Sequence, residues 1–180
     1  FLAGVAARKG APLTLAGQDF TPHEEAGRLV FQHDKGLQDL PLPALAGAHQ
    51  VVNAGTALAC AQALGVSPQA MAIGLETVRW PARLQKLSKG PMVERVKTRL
   101  PNAQIWLDGG HNPAAAKALA DWLPRQIAPQ QSLHIIIGLL SSKSHTDYLA
   151  ALAATGAHIH CVPIADTPAA PAPPVLAAEA

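Results

Sequence analysis

The sequence has 180 residues, with 14 Lys and Arg against 12 Asp and Glu, so its formal net charge is +2 with neutral histidines. Charged residues make up only 14% of the chain and are scattered singly, which argues against a nucleic-acid-binding protein with a basic surface. Because 49% of the residues are hydrophobic, the chain can bury a sizeable core, which excludes disorder of the whole chain and predicts one domain or two small ones.

The cysteines and the least charged segment indicate the compartment. Cys60 and Cys161 lie far apart with no CxxC spacing, which argues against a disulfide scaffold or a cysteine-based zinc site and favours the reducing cytoplasm. Residues 40–75 contain no charged side chain, but prolines and polar residues interrupt them before they reach the roughly 20 mostly apolar residues of a membrane span. The chain starts at Phe1 without the features of a signal peptide, and we interpret it as an internal piece of a longer protein.

The first half of the sequence predicts strands and loops followed by two helices. Glycines, prolines and isolated charges separate the short apolar runs of residues 1–40, which is typical of strands and loops. Residues 49–64 are rich in Ala and Leu and end at Gly65, which predicts a helix, and their lack of charge predicts burial on nearly all sides. Ser67 and Pro68 then begin a second predicted helix.

Beyond Trp80 and Pro81, where we place a domain boundary, apolar runs alternate with helical segments. The expected elements are strand 104–107, a helix beginning at Asn112-Pro113, strand 133–140, helix 145–154 and strand 157–163. This order predicts βαβ units, and therefore an α/β fold with an open, mostly parallel sheet. Strand 133–140 is almost continuously apolar, which predicts burial on both faces. The tail 166–180, rich in Pro and Ala, is typical of a linker.

The segment DGGHNP is the first candidate site. Asp108 stands at the predicted carboxyl end of a strand, where open α/β sheets bind ligands, and the two glycines after it allow a close approach. The following helix offers free N–H groups to an anion. The alternative is that Asp108 and Asn112 are only turn and cap residues. His111 is a ligand contact, a proton shuttle or an exposed loop histidine, and the sequence leaves all three open.

Two residues in the first half are also candidates. Asn53 lies in an uncharged helix that we expect to be buried, where an amide needs hydrogen-bond partners and could bind the edge of an adenine. Arg83, beside the predicted boundary, could make a bidentate contact to phosphate. The alternatives are a helix-to-loop contact for Asn53 and a solvated side chain for Arg83.

Two further patterns are weaker. Residues 138–144 could cradle a phosphate, but they lack the GxxxxGK[ST] spacing of a P-loop, and Ser144 is interpreted as a helix cap. His158 and His160 share one face of a predicted strand, a spacing that metals can use, yet the neighbouring sequence offers no third ligand.

Three segments in order, LPLPALAGAHQVVNAGTALA, VRWPARLQ and WLDGGHNPAAAKALADWL, resemble one family. They are similar to the folate branch of the Mur ligase superfamily, the bifunctional dihydrofolate synthase/folylpolyglutamate synthases. The resemblance implies that residues 1–80 are the C-terminal part of a central ATP-binding domain. Residues 81–180 would then be an incomplete, Rossmann-like C-terminal domain of the ligase.

The resemblance implies an ATP-dependent ligase that activates the carboxylate of dihydropteroate or a folate as an acyl phosphate and joins it to the amino group of L-glutamate. By position in the motifs, Asn53 matches an adenine-side asparagine, and Arg83 matches a phosphate-contacting arginine. Asp108 matches a ribose-side aspartate, and His111 a histidine beside the nucleotide. The chain would thus supply one side of the ATP site and no catalytic residue.

The family's P-loop, magnesium ligands, pterin pocket and modified lysine lie upstream of the matched segments. We therefore expect Mg²⁺ to be held outside this chain and the chain alone to be inactive. The family usually has alanine where this chain has Gly110, and Lys-Asp where it has Lys143-Ser144, so no role is assigned to that second loop. The stretch between Arg83 and Asp108 is longer than usual and predicts a surface turn over residues 89–102. We expect a cytoplasmic monomer with no nucleic-acid or membrane partner.

Two alternatives remain at this stage. The first is a ligase of the same superfamily that acts on a cell-wall precursor. The second is a non-catalytic α/β binding module in which the DGGHNP turn is purely structural, and it predicts no response to ATP.

Overall fold

The computed structural model describes residues 1–128, 130–140 and 145–179, and the chain forms two compact units. The first comprises Phe1–Gln85 and the second Lys86–Ala180. The division falls after Gln85, whereas the sequence places a boundary after Trp80. The assignment of the units to a central ATP-binding domain and a C-terminal ligase domain stays a prediction.

The first unit combines an antiparallel sheet with three helices. Its elements are α1 (Leu2–Lys9), β1 (Phe20–Glu25), β2 (Arg28–His33), β3 (Gly36–Pro41), α2 (His49–Ala63) and α3 (Pro68–Thr77). The strands form a meander in the order β1-β2-β3. The two predicted helices are confirmed as α2 and α3. Helix α1 was not expected, because it has no side-chain N-cap and buries no residue.

The core of the first unit lies between this sheet and the two longer helices. Leu29 and Phe31, two positions apart on β2, share one face of the strand and are fully buried. Helix α2 buries Val51 and Leu58 on one face, whereas Val52 is 55% exposed. The expectation that α2 is buried nearly all round is therefore wrong, because β1, β2 and α3 cover only part of its surface.

A close approach of α2 to β1 depends on Gly55. A Cβ at this position would overlap the ring of Pro22. We expect Gly55→Ala to lower the free energy of unfolding by about 1–3 kcal/mol through overpacking, although alanine favours helices. Gly74→Ala in α3 is the matched control, since a Cβ there meets no atom within 4 Å. Urea unfolding compares them, and equal stability of the two variants would contradict this packing.

The second unit alternates short strands with helices. Its elements are β4 (Gln85–Leu87), α4 (Pro91–Arg99), β5 (Ile105–Leu107), α5 (Pro113–Trp122), a 3-10 turn (Leu123–Gln126), β6 (His134–Ile137), α6 (His145–Ala153), β7 (His158–Cys161) and α7 (Pro173–Ala178). Strand β4 begins at the last residue of the first unit. The pairs are β4 with β5, and β6 with β7 in parallel. The α/β class is confirmed, but the strands form small separate sheets rather than one open sheet.

The core of the second unit joins α5, α6, α7 and one face of the β6-β7 pair. Ala116, Leu149 and Leu176 are each at most 1% exposed. Ile137 is buried on the same face, while Ile136 is 73% exposed on the other. The prediction that this strand is buried on both faces is therefore wrong, since helices cover only one side of it.

Two further expectations are corrected in this unit. Residues 89–102 contain helix α4, with Pro91 in its first turn and Val93 buried, rather than only a surface turn. The Pro-rich tail contains α7, and Leu176 anchors it in the core rather than leaving a linker.

In the described part of the chain, none of the helices has the length and apolar character needed to span a bilayer.

Candidate functional site

The four predicted nucleotide contacts fall into two groups. Asn53 lies on α2 and Arg83 in the turn that follows α3, both within the first unit. Asp108 and His111 lie together in the loop between β5 and α5 of the second unit. The structure therefore places Asp108 and His111 in one loop and the other two residues on separate elements.

Asn53 is exposed, contrary to the expectation of a buried amide, but its side chain is hydrogen-bonded. Its Nδ2 donates to Oε1 of Gln50 at 3.1 Å, and Gln50 is buried, with its Nε2 2.9 Å from Nε2 of His49. These three residues form a hydrogen-bonded polar group in the first turns of α2. Gln50 was not among the predicted site residues, although its place three residues before Asn53 was a usable signal.

Two of these residues, Gln50 and Asn53, line a cavity of about 370 Å³ between α2 and α3. Gln50 and Asn53 supply its amide groups, and its other lining side chains are apolar: Pro43, Leu45, Ala54, Ala57, Leu58, Ala61, Val66, Ala70, Met71, Leu75 and Val78, together with Gly74. An apolar cleft with a few polar groups at one place is typical of sites that bind a flat, partly polar ring. Asn53 can both donate to and accept from such a ring.

Arg83 is exposed in a turn with unusual backbone geometry. Ala82 and Leu84, on either side of it, have positive φ angles of 55° and 44°. Such conformations cost about 1–3 kcal/mol each in non-glycine residues and cluster at functional sites. Leu84 is buried, which anchors the turn, while the Arg83 guanidinium donates through Nη1 to the Ala82 carbonyl at 3.1 Å. The turn thus presents the Arg83 cation at the surface of the first unit.

The Asp108 loop is held by its own hydrogen bonds. The Gly110 N–H donates to Oδ1 of Asp108 at 2.7 Å, and Nδ1 of His111 donates to the Gly109 carbonyl at 3.0 Å. Oδ1 of Asn112 accepts from the Ala115 N–H at 2.9 Å, so this residue is a helix cap, as the structural alternative held. The hydrogen bond to Asp108 likewise shapes the turn, and this role is compatible with ligand binding by the carboxylate.

Aromatic packing fixes the elements on both sides of this loop. Trp106 of β5 meets Trp122 of α5 edge to face, with ring centroids 4.8 Å apart. The Tyr148 hydroxyl, on α6, donates to the Gly110 carbonyl at 2.8 Å. Tyr148 was not predicted from the sequence, because it lies 38 residues from Gly110 and no local pattern links the two.

The environment of Tyr148 gives a testable pH dependence. Burial, with a smaller contribution from the charge of Asp108, raises the pKa of Tyr148 from 10.0 to about 12. The folded state thus favours the neutral phenol over the phenolate. The contribution of this group to the free energy of unfolding is fully present below pH 10 and is lost as the pH rises toward 12. We expect the free energy of unfolding to fall more steeply over this range than in Tyr148→Phe. Since the chain has one tyrosine, phenolate absorbance reports this group alone, and a midpoint near 10 would contradict its burial.

In the structure, a third histidine lies beside His158 and His160 of β7. The His134 ring stacks on those of His158 and His160, with centroids 4.8 Å and 5.4 Å away, and its Nδ1 lies 3.1 Å from Nε2 of His160. Within residues 1–128, 130–140 and 145–179, however, no group of three or more His, Cys, Asp or Glu side chains is arranged to hold a metal ion. No chemical step is assigned to a metal on the described residues. The Lys143-Ser144 loop lies outside the described residues.

Comparison with known proteins gives a consistent result. A probable bifunctional folylpolyglutamate synthase/dihydropteroate synthase of Halobacterium salinarum is 32% identical over 159 residues, covering 87% of this chain and 17% of that protein. The folylpolyglutamate synthase of Lacticaseibacillus casei is 29% identical over 160 residues, covering 86% of this chain and 32% of the relative. The UDP-N-acetylmuramoyl-L-alanyl-D-glutamate--2,6-diaminopimelate ligase of Corynebacterium efficiens is 37% identical over 95 residues, covering 53% of this chain and 16% of that enzyme. No family model matches the chain.

Solved structures agree with these relatives. E. coli FolC in complex with ADP matches 99% of this chain and 40% of its own, with a TM-score of 0.79 and 27% identity. Mycobacterium tuberculosis folylpolyglutamate synthase complexed with ADP matches 99% of this chain and 38% of its own, with a TM-score of 0.76 and 26% identity. The chain thus spans less than half the length of the relatives and structures it matches.

The chain is thus similar to Mur-type ligases of both the folate and the cell-wall kind. Over nearly its whole length the chain is similar to folylpolyglutamate synthases, in agreement with the resemblance of its three sequence motifs.

Proposed function

We propose that this chain is part of an ATP-dependent ligase that adds L-glutamate to dihydropteroate and folates, and that it supplies one side of the ATP site. The observation that carries the proposal is the match of 99% of the chain to E. coli FolC, a protein solved in complex with DHPP and ADP. We use the term complete ligase for the full-length protein that contains this chain. We further propose that it is a cytoplasmic monomer that uses Mg²⁺ held by residues other than those described here.

Each proposed contact follows from the chemistry of its side chain. The Asn53 amide, at the edge of an apolar cavity, would bind the edge of the adenine. The Arg83 guanidinium would form charge-assisted hydrogen bonds to phosphate. The Asp108 carboxylate would accept hydrogen bonds from ribose hydroxyls, and His111, in the same loop, would lie beside the nucleotide.

In the proposed reaction, a carboxylate oxygen of dihydropteroate or a folate attacks the γ-phosphorus of ATP. The bond from this phosphorus to the bridging oxygen breaks, which releases ADP and leaves an acyl phosphate. The amino group of glutamate then attacks the acyl carbon of this acyl phosphate. Phosphate leaves, and the nitrogen loses a proton to give the amide. The residues of this chain bind and orient ATP in this scheme, and none of them forms a covalent bond to a substrate.

The deciding experiment is an activity assay on the complete ligase. Incubation with ATP, dihydropteroate and L-glutamate should give dihydrofolate, ADP and phosphate in equal amounts. A protein that neither binds ATP nor releases phosphate would instead be the non-catalytic binding module considered above.

A cell-wall ligase is the second candidate, and the Corynebacterium efficiens relative favours it over about half of the chain. The same assay distinguishes it when a UDP-linked muramoyl peptide and an amino acid replace dihydropteroate and glutamate. Turnover with this precursor alone would overturn the folate proposal and retain the ATP site.

Asn53 offers a smaller test of the adenine contact. We expect Asn53→Ala to weaken ATP binding to the complete ligase by about 2- to 10-fold, the effect of one net hydrogen bond. Thr56→Ala is the matched control, because Thr56 is exposed on the same helix and its hydroxyl donates only to the Val52 carbonyl of that helix. Equal ATP affinity in both variants would show that Asn53 does not contact the base.

A further inference from the structure

Tyr148 joins helix α6 to the candidate nucleotide loop. Its side chain is 3% exposed, and its hydroxyl donates to the Gly110 carbonyl at 2.8 Å. This carbonyl belongs to the peptide group that continues into His111. The ring of Tyr148 lies in the core with Leu149 and Leu152, so the position of its hydroxyl is fixed by packing.

Gly110 is held at both of its backbone groups. Its carbonyl accepts from Tyr148, and its N–H donates to Oδ1 of Asp108 at 2.7 Å. A Cβ at this position would lie 2.8 Å from that same carboxylate oxygen and 2.9 Å from Cβ of Ala115. Both distances are shorter than ordinary contacts, so a Cβ here would require the Asp108 side chain and the start of α5 to shift.

We propose that Tyr148 is a positioning residue for nucleotide binding, which acts by fixing the Gly110 peptide and thereby the orientation of Asp108 and His111. The proposal rests on the proposed function, since it takes Asp108 as a nucleotide contact. Tyr148 itself touches no nucleotide in this account. A buried hydroxyl that donates to a loop carbonyl restrains the loop without adding a charge to its surface.

The first test uses the 180-residue chain and the variant Tyr148→Phe, which removes only the hydroxyl. Amide hydrogen exchange at Gly110 should become about 3- to 10-fold faster, the factor expected for the loss of one net hydrogen bond. Thr155→Val is the matched control, because the Thr155 hydroxyl also donates to a carbonyl, that of Leu152, near the other end of α6. It should leave exchange at Gly110 unchanged. Unchanged exchange in Tyr148→Phe would overturn the proposal.

The second test measures ADP affinity in the complete ligase. Tyr148→Phe should weaken ADP binding about 3- to 10-fold, and should have less effect when Asp108→Asn is already present, because both changes act on one contact. Unchanged affinity in Tyr148→Phe, while Asp108→Asn alone weakens binding, would overturn the positioning role. Unchanged affinity in Asp108→Asn would overturn the proposed function instead, and faster exchange at Gly110 would still show the link to Tyr148.

Discussion

Replacing Arg83 with alanine should lower ATP affinity or turnover of the complete ligase by about 10- to 150-fold. A charge-assisted hydrogen bond to phosphate contributes roughly 1.5–3 kcal/mol, and about 1.4 kcal/mol corresponds to each factor of ten. Arg83 is exposed, so its removal leaves no cavity in the core and should have little effect on folding. A loss of function without a loss of stability would therefore identify a ligand contact.

Two further variants make this test specific. Arg79→Ala removes an exposed cation four residues earlier and should leave ATP binding unchanged. Arg83→Lys keeps the charge but loses the planar fork that binds two phosphate oxygens at once, so it should restore only part of the affinity. Unchanged kinetics in Arg83→Ala would show that this side chain is a solvated turn residue.

The second large effect is expected at Asp108. Asparagine keeps an acceptor oxygen and tolerates the same turn, so Asp108→Asn should be harmless if the residue only shapes the loop. If the carboxylate binds the ribose, the variant loses a charged acceptor and presents an NH₂ group to a hydroxyl. ATP affinity or turnover should then fall about 10-fold or more, following the 1–3 kcal/mol cost of an unmatched polar group.

Thermal unfolding and ATP titration of Asp108→Asn must be compared on the same protein. The matched control is Asp121→Asn on α5, where the carboxylate lies at the surface, 3.3 Å from Nζ of Lys117. Such surface pairs contribute little, so this variant should bind ATP normally. A stable Asp108→Asn variant with normal binding and turnover would contradict the ribose contact.

Helix caps were the features that the sequence predicted best. Ser67 and Asn112 each precede a proline, and in the structure their side chains accept hydrogen bonds from the backbone N–H groups of Ala70 and Ala115. These signals are local, because a cap and its partner lie three residues apart. The prediction of Asp108 and His111 in one loop succeeded for the same reason.

The missed helices show where local signals were misleading. Helix α4 begins with Pro91 after Gly90, a pair that is equally typical of a turn, and it buries Val93 as its only residue in the core. Helix α7 lies in a Pro-rich tail whose composition is typical of a linker. Its Leu176 finds a core position only when distant helices are present, which composition does not reveal.

The contact between Tyr148 and Gly110 could not be predicted for a related reason. It joins residues 38 positions apart through one hydroxyl group. Burial of Ile136 was mispredicted on similar grounds, since a continuous apolar run does not say which neighbours cover each face. The sequence therefore supplied the candidate residues, and the structure supplied the long-range contacts that support them.

A crystal structure of the complete ligase with ADP tests the central claim most directly. We predict that the Asp108 carboxylate accepts a hydrogen bond from a ribose hydroxyl within about 2.6–3.0 Å, and that the Asn53 amide and the Arg83 guanidinium contact the adenine and a phosphate. ADP bound with none of these side chains within hydrogen-bond distance would contradict the account.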